Sequence, residues 1–211
     1  MWTAMIRISA VLAALFLGLQ TALAQPVTIL ALGDSLTAGL GLEASEAFPA
    51  RLEAALKAKG LDVRIVNGGV SGDTAAAGLA RLDWVLTDDV DGLIVELGAN
   101  DALRGLDPAQ TETALDGILA KAAARKLPVL VAGMRAPPNL GPDYVAGFDA
   151  IYPRLAEKYG AMLYPFFLDG VAAQPSLNQA DGIHPNGKGV DIIVGRIMPS
   201  VEELVRRAAA N

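Results

Sequence analysis

Three residues of this chain have types and spacing suited to proton-assisted nucleophilic chemistry, and one of them has no competitor. His184 is the only histidine. Imidazole is the side chain that readily takes and returns a proton near neutral pH, so a base-assisted reaction would have to use it. It sits in Asp181-Gly182-Ile183-His184-Pro185. A carboxylate three residues upstream can accept the Nδ1 proton and leave Nε2 free as the base, the second half of a Ser-His-Asp relay. The nucleophile would be Ser35, in Gly33-Asp34-Ser35-Leu36-Thr37, directly after an apolar run. Blander roles stay open for each. A lone histidine can pack in a core or on a surface, and a serine after a strand can cap a helix.

Acyl chemistry at Ser35 would also need donors for a developing oxyanion. The backbone N–H of Ser35 is one. Gly72 can supply a second, since a residue without a side chain lets its backbone approach a ligand. Asn100 can supply its amide NH₂. A turn glycine and a turn-capping asparagine explain the last two residues equally well. Neither Ser35 nor Ser71 completes the Gly-x-Ser-x-Gly elbow of the α/β-hydrolases. No Gly-x-x-x-x-Gly-Lys-[Ser/Thr] phosphate loop occurs in the chain.

The elements that would position these residues alternate between short β-rich runs and longer helical patterns. Strands are predicted over 27–32, 63–66, 93–97, 129–131 and 161–167, and helices over 47–59, 73–86, 108–126, 145–159 and 186–209. Pro108 suits a first helical turn and Asp107 its N-cap, while Asp73 or Ser71 would lie near the cap of helix 73–86. Nearly continuous apolar strands that alternate with helices indicate a parallel sheet covered on both faces. Gly33-Asp34-Ser35 follows the first strand, Gly68 to Asp73 the second, and Gly98-Ala99-Asn100-Asp101 the third. Ligands bind at the carboxyl ends of such strands, so the three polar turns converge on one rim. The irregular stretch 135–143, rich in proline and glycine, follows the fourth strand and is expected to wall the site.

Composition narrows the rest. Arg7, the apolar run 8–19 and the Ala22-Leu23-Ala24 pattern read as a secretory signal peptide over 1–24, cleaved after Ala24, with an apolar core too short for a comfortable membrane span. Residues 25–211 would then form one domain with no stable membrane anchor, periplasmic or secreted. That segment holds 16 Lys and Arg against 23 Asp and Glu, a formal charge of −7. An acidic chain without a basic run is a poor partner for nucleic acid or anionic lipid. The absence of cysteine excludes disulfides, a thiol nucleophile and cysteine metal sites, and one histidine leaves almost no basis for a transition-metal site or another cofactor. Composition sets no oligomeric state.

Four blocks carry a resemblance. GDSLTAG at 33–39, GGVSGDT at 68–74, ELGANDALRG at 96–105 and DGIHPNGKG at 181–189 are similar, in order, to those of the SGNH hydrolases of the GDSL class. Together with GLARL at 78–82 and FDAIYPRLAEKYG at 148–160, they resemble the secreted bacterial group of multifunctional thioesterase/protease/lysophospholipase enzymes and arylesterases. The resemblance implies a three-layer α/β/α, flavodoxin-like fold with about five parallel strands in the order 2-1-3-4-5. It implies catalytic Ser35, Asp181 and His184, an oxyanion hole of Ser35, Gly72 and Asn100, and a substrate-lining loop with Arg135, Pro137, Pro138 and Asn139. The expected activity is hydrolysis of short to medium acyl esters through an acyl-enzyme, with thioester and lysophospholipid substrates overlapping. A carbohydrate deacetylase using the same residues is the related alternative. A non-catalytic periplasmic binding module is the alternative of a different class, and it would not require Ser35, Asp181 and His184 together.

Overall fold

A computed structural model describes residues 25–211; the expected signal peptide lies outside the described residues. Five strands form one sheet: β1 (Val27–Gly33), β2 (Val63–Gly69), β3 (Gly92–Glu96), β4 (Val129–Ala132) and β5 (Met162–Tyr164). All neighbouring pairs run parallel, in the order β2-β1-β3-β4-β5. From Ile29 onward β1 is buried at every position, as are β3 and β4 throughout, whereas edge strand β2 alternates between buried and exposed residues. Central strands of a parallel sheet face helices on both sides and so read as unbroken apolar runs.

The helices are α1 (Ser35–Ala38), α2 (Phe48–Ala58), α3 (Ala75–Val85), α4 (Ala99–Leu103), α5 (Pro108–Ala124), α6 (Pro142–Asp149), α7 (Ile151–Tyr159) and α8 (Gly187–Ala209). Helices α2 and α8 pack together on one face of the sheet, and α3, α5 and α7 pack in series on the other. Because the strand order reverses at β1, the first crossover covers the opposite face from the later ones, as right-handed connections require. Helical periodicity supplies the core: Phe48, Leu52 and Leu56 of α2, Leu115, Ile118 and Leu119 of α5, and Ile197, Val201 and Leu204 of α8 are all buried.

Two expected helices differ in detail. The predicted helix 73–86 begins at Ala75, capped by the Thr74 side chain, which accepts from Ala77 N–H; Asp73 instead pairs with Arg81 at 2.6 Å. The predicted helix 145–159 starts earlier and is divided into α6 and α7 at Ala150. Pro153 has no N–H to give the Asp149 carbonyl and its ring crowds that carbonyl, which favours a break there, although α8 carries Pro199 in its interior without one. The Asp107 cap on α5 is present and accepts from Ala109 N–H at 2.9 Å.

The strand registers set the site. Gly33 lies opposite Gly69 on one side and Glu96 on the other, so the three carboxyl ends finish level. The turns leaving β1, β2 and β3 therefore meet at one edge.

Candidate active site

Asp34 is the single residue between β1 and α1. Its Oδ1 accepts from Leu36 N–H at 3.0 Å, so Asp34 is the N-cap and Ser35 the first residue of a four-residue helix. Serine at this place is therefore not a cap. A first-turn N–H has no intrahelical acceptor, which leaves the Ser35 N–H available. Close packing holds the turn. A β-carbon on Gly33 would stand 2.1 Å from Thr37 Oγ1, and one on Gly69 would stand 2.2 Å from the Ala38 backbone nitrogen. Ser35 itself is only 8% exposed.

The histidine comes from a turn on the other side of the cleft. Asp181 Oδ1 accepts the backbone N–H groups of Ile183 at 2.9 Å and His184 at 3.0 Å, while its Oδ2 lies 2.7 Å from His184 Nδ1. Gly182 makes the turn possible at φ +71°. His184 Nε2 is 2.8 Å from Ser35 Oγ, so the structure brings the three sequence-predicted residues into one hydrogen-bonded line. The backbone and side-chain donors of His184, with the Ile183 N–H, hold the Asp181 carboxyl down at about 2. An ionised Asp181 keeps the proton on Nδ1 and leaves Nε2 to accept from the serine hydroxyl.

Asn100, near the start of α4, shares the cleft wall with Ser35. Its Nδ2 donates to Asp34 Oδ2 and to the Asp73 carbonyl, both at 3.0 Å. Gly72 lies in the same loop as Asp73, at φ +89°, with its carbonyl accepting from Arg104 Nη2 at 2.8 Å. The only atom near a β-carbon there would be Arg104 Nη2 at 3.7 Å. Backbone conformation rather than lack of room thus calls for glycine at this position.

Behind the nucleophile turn sits a carboxyl cluster. Glu96 is fully buried at the end of β3, with Oε2 accepting from Thr37 Oγ1 at 2.7 Å and Oε1 without a partner. Burial, with the nearby Asp34 charge adding to it, pushes Glu96 well above the usual carboxylate range. Burial also raises Asp34, to about 6, against the lowering effect of its bonds to Leu36 and Asn100. Among the described residues, no three His, Cys, Asp or Glu side chains gather as metal ligands.

The hydrogen-bonded line opens into a cavity of about 310 Å³. Its walls include Leu103, Met134, Pro137, Phe166 and Ile183, and Arg135 lies over the Phe166 ring at 5.1 Å from its centroid. The expected loop thus contributes Arg135 and Pro137, whereas Pro138 and Asn139 sit in a short 3₁₀ turn, Pro138–Leu140, outside the lining. Gly72 is likewise outside it. Sequence reasoning missed the wall formed after β5 by Phe166, Leu168 and Ala172, and it passed over Asp34 and Glu96. The strand predicted over 161–167 ends at Tyr164 instead, which frees Phe166 and Leu168 to line the cleft.

Residues 31–192 match the model of the GDSL-like lipase/acylhydrolase family. The chain belongs to that family. It is an acyl hydrolase, with the fold of the SGNH group. The chain is similar to the esterase TesA of Pseudomonas aeruginosa, 42% identical over 91% of this chain and 95% of that one. It is also similar to the thioesterase 1/protease 1/lysophospholipase L1 of Escherichia coli K12, 41% identical over 84% of this chain and 85% of that one. Among solved structures, the SGNH-hydrolase esterase AlinE4 superimposes with a TM-score of 0.73 at 51% identity, covering 86% of this chain and 98% of that one.

Proposed function

We propose that this GDSL-family chain is an exported serine esterase for short to medium acyl esters, with acyl thioesters and lysophospholipids as overlapping substrates. The observation that carries the reading is the Ser35–His184–Asp181 line ending at the mouth of an apolar cavity. Ser35 Oγ attacks the acyl carbonyl carbon as His184 Nε2 takes its proton. The tetrahedral oxyanion accepts hydrogen bonds from the Ser35 and Gly72 N–H groups and the Asn100 amide. Collapse expels the alcohol or thiol, which leaves with the proton held on His184. Water, deprotonated by the same imidazole, then releases the acid from the acyl-enzyme. Asp181 orients the ring and stabilises its cationic form throughout.

A cavity of about 310 Å³ is at the small end of ligand sites, which run from roughly 300 to 1,000 Å³, and this favours modest acyl chains. The relatives named esterase TesA and thioesterase 1/protease 1/lysophospholipase L1 support both ester and thioester turnover. Among the described residues no helix is long and apolar enough to cross a membrane. With the expected signal peptide, that supports release into the periplasm or medium.

The deciding experiment is Ser35→Ala, assayed with nitrophenyl esters of increasing acyl length beside an acyl-CoA and lysophosphatidylcholine, with fluorophosphonate labelling of the parent enzyme. Loss of all ester turnover in a folded variant, and labelling at Ser35, are expected. Retained hydrolysis overturns the assignment of Ser35 as the nucleophile, and no label favours a binding module. The ratios of kcat/KM across the panel rank the substrates.

A further inference from the structure

The Asn100 amide offers two N–H donors, and both have acceptors in the substrate-free site: a carboxylate oxygen of Asp34 and the backbone carbonyl of Asp73. Two acceptors converging on one atom identify it as nitrogen and exclude the flipped amide, whose oxygen would face two oxygens. The same Asp34 carboxylate receives Leu36 N–H through its other oxygen and so fixes the turn that carries Ser35. One buried side chain thus ties the nucleophile's helix to the amide across the cleft. A helix cap alone would not need aspartate, since serine or threonine caps as well.

We propose that Asp34 is a positioning residue for the oxyanion donor: it locks the Asn100 amide with its N–H edge toward the reacting carbonyl while setting the pitch of the Ser35 helix. Without the lock the amide can rotate by half a turn and present its carbonyl oxygen to an oxyanion, which is repulsive. An arriving oxyanion shares an N–H that the resting site gives to Asp34 or to the Asp73 carbonyl, so little rearrangement is needed. Thr37 and Glu96 brace the lock from beneath. Thr37 lies four residues after Gly33 and donates from Oγ1 to Glu96 at 2.7 Å, and Gly33 leaves the space for that bond. Burial, with the Asp34 charge adding to it, pushes the Glu96 carboxyl well above the usual carboxylate range, which disfavours a second full charge beside Asp34.

The inference rests on the Ser35 esterase reading, and a double-mutant cycle tests it separately. Asn100→Ala should lower kcat about 10²- to 10³-fold, the usual cost of one oxyanion donor. Asp34→Asn keeps the size and the cap on Leu36 but turns a donor toward the Asn100 donor, so kcat should fall by roughly 10- to 100-fold with KM little changed. In the Asn100→Ala background the same Asp34→Asn change should alter kcat by less than about threefold, because its route of action is gone. Asp34→Ser, which keeps a capping oxygen and drops the contact to Asn100, provides the second cycle if Asp34→Asn fails to fold. Fully multiplicative losses, or a loss of Asp34→Asn expressed in KM alone, overturn the proposal. Ser35→Ala run alongside separates the two claims. If it stays active, both the esterase reading and this inference fail; if it is inactive and the cycle is multiplicative, only this inference fails.

Discussion

The two halves of the site are built in opposite ways. On the nucleophile side, Gly33, Asp34, Ser35, Leu36 and Thr37 are all buried, and glycines at 33 and 69 leave no room for even one added carbon. Position is set there by close packing against β2 and β3. On the histidine side, the Asp181 side chain is 44% exposed, and its three bonds all go to residues 183 and 184. Position is set there by a short self-contained turn. Besides the Ser35–His184 bond, Gln179 ties the halves together: its Nε2 donates to the Leu40 carbonyl at 2.7 Å and to the Pro185 carbonyl at 3.0 Å. Overpacking in the first half should therefore appear in stability, and loss of the Asp181 contact in the turn should appear in rate.

The largest effect should come from the turn. Asp181→Asn can still accept the backbone N–H groups but turns an NH₂ toward Nδ1, which imposes the wrong tautomer. A fall in kcat on the order of 10⁴-fold is expected, with thermal unfolding nearly unchanged, since the residue is exposed. A comparable loss of stability would show that the two halves are not separable in this way. On the packed side the expectation reverses. Gly69→Ala drives a β-carbon against the Ala38 backbone nitrogen, which has no freedom to move aside. Denaturant unfolding should report destabilisation of about 3 kcal/mol, the upper part of the range for overpacking.

Acid titration sharpens the contrast, because the two aspartates respond with opposite signs. Asp181 is depressed to about 2, so its favourable bonds are complete above the ordinary carboxylate range and are lost as pH falls through about 2. Asp34 is raised to about 6 by burial. The unfolded chain releases that proton near pH 4 and the folded chain only near 6, so its contribution to stability falls as pH rises between those values. The fall from Asp34 should be about 3 kcal/mol, and Asp34→Asn should remove that part of it in pH-dependent unfolding curves. A wild-type curve that rises over the same interval would contradict the burial argument. The smallest effect belongs to the connector. Gln179→Ala should lower kcat about tenfold while leaving both halves folded, through a looser Ser35–His184 approach. Unchanged kcat would mean that each half holds its position without the other.

Legibility in the sequence follows the same division. The His184 turn was readable because its bonds join residues within three positions, and such spacing is written directly in the chain. Ser35 was readable as a polar residue at the end of an apolar run. The order and parallel pairing of the strands followed from alternation together with the family resemblance. The capping role of Asp34 was obscured because serine next to it is an equally good cap by type. Glu96, at the last position of a buried strand, gave no sign that its partner would be Thr37, 59 residues earlier. The division of helix 145–159 rested on Pro153, whose effect depends on where the first turn begins.

Taken alone, then, the residues determined which chemistry is available: one imidazole, a carboxylate at the spacing of a turn, a serine after a strand, and no thiol. These are properties of residue type and short-range spacing, and no fold is needed to state them. The tertiary structure decided which groups meet. Parallel registers level Gly33, Gly69 and Glu96, and that brings Ser35 to the imidazole 149 positions away and Asp34 to the Asn100 amide 66 positions away. It also decided the cavity wall, where Phe166 and Leu168 stand in place of Pro138 and Asn139. The physical reason is that hydrogen bonds and close contacts act over a few ångströms, and only packing can bring distant parts of a chain within that reach.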